Sequence, residues 1–154
     1  MIVIYFHSLI YLEYILPHHT HGTPYNRAGN RNIAIIDDEK DLLFVYKKAL
    51  ELQGLKVVTF DDSSVALDEL KVSHNKYCML LVDIRMPKVN GYQLINEIKC
   101  VNPLIKTILM SAHDKSELSI LGNLNDGVKI DEFLYKPFSL ISLINTVKAL
   151  LEKY

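Results

Sequence analysis

Asp83 closes the apolar run Cys78-Met79-Leu80-Leu81-Val82, and the acid pair Asp37-Asp38 closes another, Ile33-Ala34-Ile35-Ile36. Lys136-Pro137 closes a third run, Glu132-Phe133-Leu134-Tyr135, and Ser111 follows a fourth, Ile108-Leu109-Met110. Carboxylate oxygens suit a hard divalent cation. A carboxylate is also a nucleophile toward phosphorus and can form an acyl phosphate. It is ionised by default at neutral pH. Three clustered carboxylates repel one another by roughly 4 kcal/mol per close pair at an intermediate dielectric. A divalent cation and a lysine offset that repulsion and stabilise charge on a transferring group. Acid, acid pair and lysine at the ends of separate apolar runs therefore point to a divalent cation and a phosphoryl group.

These groups must be brought together by the elements that carry them. A run of four to eight apolar residues bounded by turn signals reads as a buried strand. Strands are predicted at Asn32–Asp37, Leu55–Phe60, Cys78–Asp83, Ile105–Met110 and Glu132–Tyr135. Helical periodicity predicts helices at about 39–53, with Leu42, Leu43, Val45, Tyr46, Ala49, Leu50 and Leu52 on the apolar stripe and Gly54 as the stop. Asp62 or Ser63 can cap a second helix with Val65, Ala66, Leu67 and Leu70 inward. A third is predicted over about 91–101, a weak fourth over about 115–121, and a fifth over 139–152. Strands alternating with helices imply an α/β fold: a doubly wound five-stranded parallel sheet with helices on both faces. Right-handed crossovers place the first and third strands side by side, so Asp37, Asp38 and Asp83 converge where open α/β sheets bind ligands.

The quoted motifs now fix a resemblance. Ile-Ile-Asp-Asp-Glu, Val-Asp-Ile-Arg-Met-Pro-Lys-Val-Asn-Gly, Ile-Leu-Met-Ser-Ala and Phe-Leu-Tyr-Lys-Pro-Phe occur in that order. Together they resemble the receiver domain of two-component response regulators, over residues 31–154. The resemblance implies a flavodoxin-like sheet of order 2-1-3-4-5. It implies that Asp83 is the phosphoacceptor and that Lys136 pairs with it and then with the phosphoryl oxygens. Mg2+ would be held by Asp37, Asp38, Asp83 and the backbone carbonyl of Arg85. Ser111 would be the hydroxyl that moves toward the phosphoryl group, with the small Ala112 leaving room beside it. Phe133, three residues before Lys136, would be the aromatic switch; the spacing of Tyr135 does not fit that role. Arg85 and His113 would modulate phosphoryl lifetime. Gly91 allows a tight turn after the active-site loop. The peptide before Pro137 is usually cis in this family. The implied protein is not an enzyme but a phosphoacceptor that supports its own phosphorylation and dephosphorylation. Its implied partners are a sensor histidine kinase or phosphotransfer protein and an unknown output protein.

Each residue also has a plainer role. Asp37 and Asp38 can cap the first helix, where carboxylates favour the positive end of the helix dipole. Asp83 can end a strand, Ser111 can be a turn residue, Lys136 a solvated lysine and Phe133 a core residue. Joint placement at strand ends favours the site. A haloacid dehalogenase-type phosphatase needs an acid two residues after its nucleophile, where Arg85 stands. A receiver-like module working without phosphorylation is the other alternative, and the full set of site residues argues against it.

Whole-chain properties narrow the class further. The 154 residues suggest one domain, and 17 basic against 18 acidic residues exclude the basic footprint of direct nucleic-acid binding. Two isolated cysteines without metal-ligand spacing suggest a reducing, cytoplasmic setting. Residues 1–30 stand outside the expected domain. Met1–Leu16 is nearly all apolar but shorter than a membrane span and interrupted by Glu13, which weighs against its being a membrane or partner anchor. It lacks the basic start and cleavage site of a secretory signal. It reads as a packed helix or as sequence upstream of the natural start. Pro17–Asn32 reads as a polar linker, and its His18, His19 and His21 lack a framework for a metal. No output domain follows the last helix, so a stand-alone receiver is expected. The stretch from Ser111 to Lys136 is longer than usual for the family, with the extra length in 123–129, so partner choice does not transfer.

Overall fold

The computed structural model of the chain describes residues 32–112 and 129–153. Strand β1 (Asn32–Ile36) leads to helix α1 (Lys40–Glu51), then β2 (Val57–Phe60), α2 (Ser63–Ser73), a short 3-10 turn (His74–Lys76) and β3 (Tyr77–Asp83). Helix α3 (Gly91–Val101), β4 (Lys106–Ser111), β5 (Glu132–Tyr135) and α4 (Leu140–Leu151) complete the described elements. The five strands are parallel, as expected from the alternation, and run in the order β2-β1-β3-β4-β5 that the resemblance implies. The predicted helix at 115–121, the extra length at 123–128 and the N-terminal segment 1–31 lie outside the described residues.

The central strands have apolar side chains on both faces, and successive residues serve opposite cores. Ile33, Ile35, Met79, Leu81, Ile108 and Met110 pack with the inner faces of α1 and α4. Ala34, Ile36, Leu80, Val82 and Leu109 pack with α2 and α3. All of β3 is buried, which is why its sequence carries no polar alternation before Asp83. Two expected inward residues face solvent. Val65 is 58% exposed, because Ala66 and Leu70 define the inner line of α2 and Val65 falls beside it. Leu52 is 43% exposed, because it lies past the last turn of α1.

Local signals set the helix ends. Asp62, not Ser63, is the α2 cap, its carboxylate accepting from the backbone of Ser64 and Val65. Asn90 and Gln93 form a capping box on α3. Ser139 caps α4. Gly54 takes φ 76° after α1, a left-handed position suited to glycine.

Candidate functional site

Strand register, more than any contact, assembles the site. Ile36 pairs with Val82, so Asp37 and Asp83 emerge side by side from β1 and β3. Asp83 pairs with Met110, which places Ser111 one step further along β4. Ser111 pairs with Tyr135, which places Lys136 just beyond β5. The backbone N–H of Lys136 donates to Ser111 O at 2.7 Å, extending this ladder to the lysine itself. The Lys136–Pro137 peptide is cis.

Lys136 Nζ donates to Asp83 Oδ1 at 2.6 Å and to Asp37 Oδ2 at 3.0 Å. The other oxygen of each acid is held by backbone: Arg85 N–H donates to Asp83 Oδ2 at 2.9 Å, and Glu39 N–H to Asp37 Oδ1 at 2.9 Å. Asp37 is not the helix cap that the plainer reading allowed: α1 starts from Glu39 without a side-chain cap, and Asp37 instead accepts from the N–H of that residue and meets the lysine. Asp37 is fully buried and Asp83 nearly so. Burial pushes the Asp83 carboxyl up, to about 6, and the neighbouring Asp37 carboxylate adds to the rise while Lys136 works against it. Burial opposes the charge on Lys136, but Asp83 and Asp37 more than offset this and hold its pKa above the usual lysine value. One ammonium between two carboxylates leaves a buried net negative charge at the sheet edge.

That charge and its donors match what Mg2+ takes. The ion is commonly bound through one or two carboxylates, keeps several waters and is completed by phosphate oxygens. Asp37 and Asp83 are already close enough to share one cation, Lys136. Asp38 follows at the same strand end with its side chain exposed. Among the described residues no group of three or more His, Cys, Asp or Glu side chains is gathered as a metal site. The assembled acids are the pair Asp37 and Asp83, and Asp38 is exposed next to Asp37 in sequence.

The remaining expected residues divide. Ser111 is buried at the same edge, and Ala112 beside it is exposed. Arg85 is exposed, and its backbone already engages Asp83. Phe133 lies on the exposed face of β5, where it stacks on Tyr135 with ring centroids 6.1 Å apart, while Leu134 between them is buried. His113 lies outside the described residues. Gly91 serves close approach: a Cβ there would lie 2.2 Å from the carbonyl oxygen of Asp83. Ser63, a possible helix cap from sequence, instead binds the loop after Asp83 from α2; a serine at a helix start carries no sign of a partner 24 residues away.

Comparisons with known proteins agree with this fold. The family model for the response regulator receiver domain matches residues 33–148. The transcriptional regulatory protein CpxR of Escherichia coli K12 is 33% identical over 122 residues, covering 79% of this chain and 49% of CpxR. The transcriptional regulatory protein PrrA of Mycobacterium tuberculosis is 29% identical over 121 residues, 79% of this chain and 50% of PrrA. The chain thus spans about half the length of the curated relatives it matches. Among solved structures, the receiver domain of the Francisella response regulator 1452 superposes with a TM-score of 0.67 at 28% identity, covering 80% of this chain and 98% of that one. Fold, strand-end acids, lysine and family match converge: the chain belongs to the response regulator receiver domain family.

Proposed function

We propose that Asp83 is the phosphoacceptor of this receiver domain and that Asp37, Asp38 and the Arg85 carbonyl, together with Asp83, hold Mg2+. The observation that carries this reading is Lys136 Nζ at 2.6 Å and 3.0 Å from two acids on adjacent strand ends. The receiver unit is 31–154, and its setting is cytoplasmic. Among the described residues no helix is long and apolar enough to cross a membrane. The phosphoryl donor is a histidine kinase or phosphotransfer protein, and the phosphorylated face engages an output protein. The domain signals by protein contacts and does not itself bind nucleic acid.

The chain's own groups account for the transfer. Asp83 presents a carboxylate oxygen to the phosphorus of the donor's histidine phosphate; the new P–O bond forms as the P–N bond breaks and the imidazole leaves. Burial keeps its hydration shell thin, so little water must be displaced for attack. The Arg85 N–H fixes the carboxylate plane through Oδ2. Lys136 stands where negative charge develops on the phosphoryl oxygens and leaves its contact with Asp83 Oδ1 for them. Bound Mg2+ supplies the further positive charge that lets a phosphoryl dianion approach a buried carboxylate. Ser111 then offers a hydroxyl donor to a phosphoryl oxygen, and Phe133 changes rotamer with it. Arg85 and His113 flank the approach of hydrolytic water and set the lifetime of the acyl phosphate.

The test is incubation with acetyl phosphate and Mg2+, followed by mass-spectrometric mapping of the adduct. One phosphoryl group on Asp83 is expected. A label of unchanged extent in Asp83→Asn, mapped to a residue other than Ser111, overturns the assignment.

A further inference from the structure

We propose that Ser63 is a positioning residue for the phosphoacceptor loop, its hydroxyl holding a strained turn that sets the loop's metal-ready shape. The proposal rests on the phosphoacceptor reading above and concerns a residue that no motif marks.

The loop from Ile84 to Asn90 is fixed at both ends. At its start Arg85 N–H donates to Asp83 Oδ2, and at its end Gly91 N–H donates to Ile84 O at 3.0 Å. Between them Val89 N–H donates back to Pro87 O at 2.9 Å, closing a three-residue turn around Lys88. Lys88 takes φ 68°, the one non-glycine residue with positive φ among those described. A turn of this kind is rare and strained, and a lysine has no local means of favouring it. Strain of this order persists only where surrounding structure over-determines it.

Ser63 supplies that structure. It opens α2 and is 3% exposed. Its Oγ donates to Pro87 O at 2.6 Å and accepts from Val89 N–H at 3.2 Å, so one hydroxyl bridges both ends of the turn. The neighbouring residue adds a second tie, as Asp62 Oδ2 accepts from Lys88 Nζ. Asp62 Oδ1 meanwhile accepts from Ser64 N–H and Ser64 Oγ, so the tie is anchored on the start of α2. The strained turn is thus attached to a helix end on the far side of its own loop. Arg85, whose carbonyl the proposed site uses, is two residues upstream of Pro87. Without the Ser63 hydroxyl, only their own 2.9 Å hydrogen bond links Pro87 O and Val89 N–H among the described residues, and Lys88 relaxes toward negative φ.

The test compares wild type with Ser63→Ala, Lys88→Gly and the double variant. Mg2+ affinity is measured by calorimetric titration without any phosphoryl donor, and amide exchange is followed at Val89. Loss of one such hydrogen-bond bridge weakens Mg2+ binding by about three- to tenfold in Ser63→Ala and speeds Val89 exchange. Glycine adopts positive φ freely. Lys88→Gly gives up the tie to Asp62 but also removes the strain that the tie opposes, so alone it binds Mg2+ as wild type does, and adding it to Ser63→Ala restores affinity. A role confined to general stability would not give that rescue. Ser63→Ala with wild-type Mg2+ affinity and Val89 exchange overturns the proposal, as does a double variant no better than Ser63→Ala. Failure of the phosphoacceptor reading looks different: wild type itself then binds no Mg2+, while Val89 exchange still reports on the clamp.

Discussion

Replacing Gly91 by alanine should damage stability and phosphorylation together, through one contact. A Cβ at this position would lie 2.2 Å from Asp83 O, 2.9 Å from Asp83 C and 3.0 Å from Val82 Cγ1. Ordinary van der Waals contact begins near 3.4 Å, so the chains must separate by roughly 1 Å. Neither side yields easily. Asp83 is the last residue of a strand paired on both sides, and Gly91 N–H is bonded to Ile84 O. Overpacking costs about 1–3 kcal/mol, and backbone opposition puts this case near about 3. Alanine regains up to about 1 kcal/mol of helix propensity. The net loss is about 2 kcal/mol, or a melting temperature lower by about 6–8 °C. Misplacement of the reacting group by about 1 Å can cost about 100-fold in rate, so phosphorylation by acetyl phosphate should fall at least about tenfold. The assay is urea unfolding with free m-value, alongside initial phosphorylation rates. Asn90→Ala is the control: it removes the α3 cap, costs about 1 kcal/mol, and leaves the phosphorylation rate close to wild type. Gly91→Ala with an unchanged urea midpoint and unchanged rate would refute the close-approach argument.

Three further outcomes are expected. In metal-free protein, Asp83→Asn should stabilise the fold at pH 7. The folded pKa of Asp83 is raised from 3.8 to about 6, so its ionisation opposes folding as pH rises through that window. The gain is at most about 3 kcal/mol and is reduced by the lost contact with Lys136, which keeps Asp37. It should vanish below pH 4, and urea midpoints from pH 3.5 to 7.5 in EDTA that do not diverge would contradict it. Asp38→Ala should stop phosphorylation while leaving the fold intact, because its side chain is exposed; a wild-type rate would remove it from the metal site. Arg85→Ala and His113→Ala should change phosphate release from prelabelled protein more than thermal stability, and unchanged release in both would leave them as ordinary surface residues.

Much of the site was readable because it is written at strand ends. In a parallel sheet buried on both faces, strands are continuous apolar runs, so the first polar residue after each run marks the same edge. Asp37, Asp83, Ser111 and Lys136 were all placed that way, and the register of β1, β3, β4 and β5 brings them to one sheet edge. Gly91 was expected for turn freedom. Its reason is instead the Asp83 carbonyl against its Cα, a distance that no periodicity encodes.

What the amino-acid order determined by itself was local or repeated: apolar runs, helix stripes, caps such as Asp62 and Asn90, and the motif order that led to the family. Tertiary structure decided which groups actually meet. Burial alone made Asp37 the inner acid and left Asp38 exposed, although the two are neighbours in sequence. Packing left Val65 on the surface, and side-chain alternation on β5 put Phe133 and Tyr135 on one exposed face. Ser63 became the partner of a loop 24 residues away. The physical reason is common to all of these. Secondary structure follows from short-range preferences, whereas desolvation and a hydrogen bond between distant residues exist only once separate elements are brought within a few ångströms of one another.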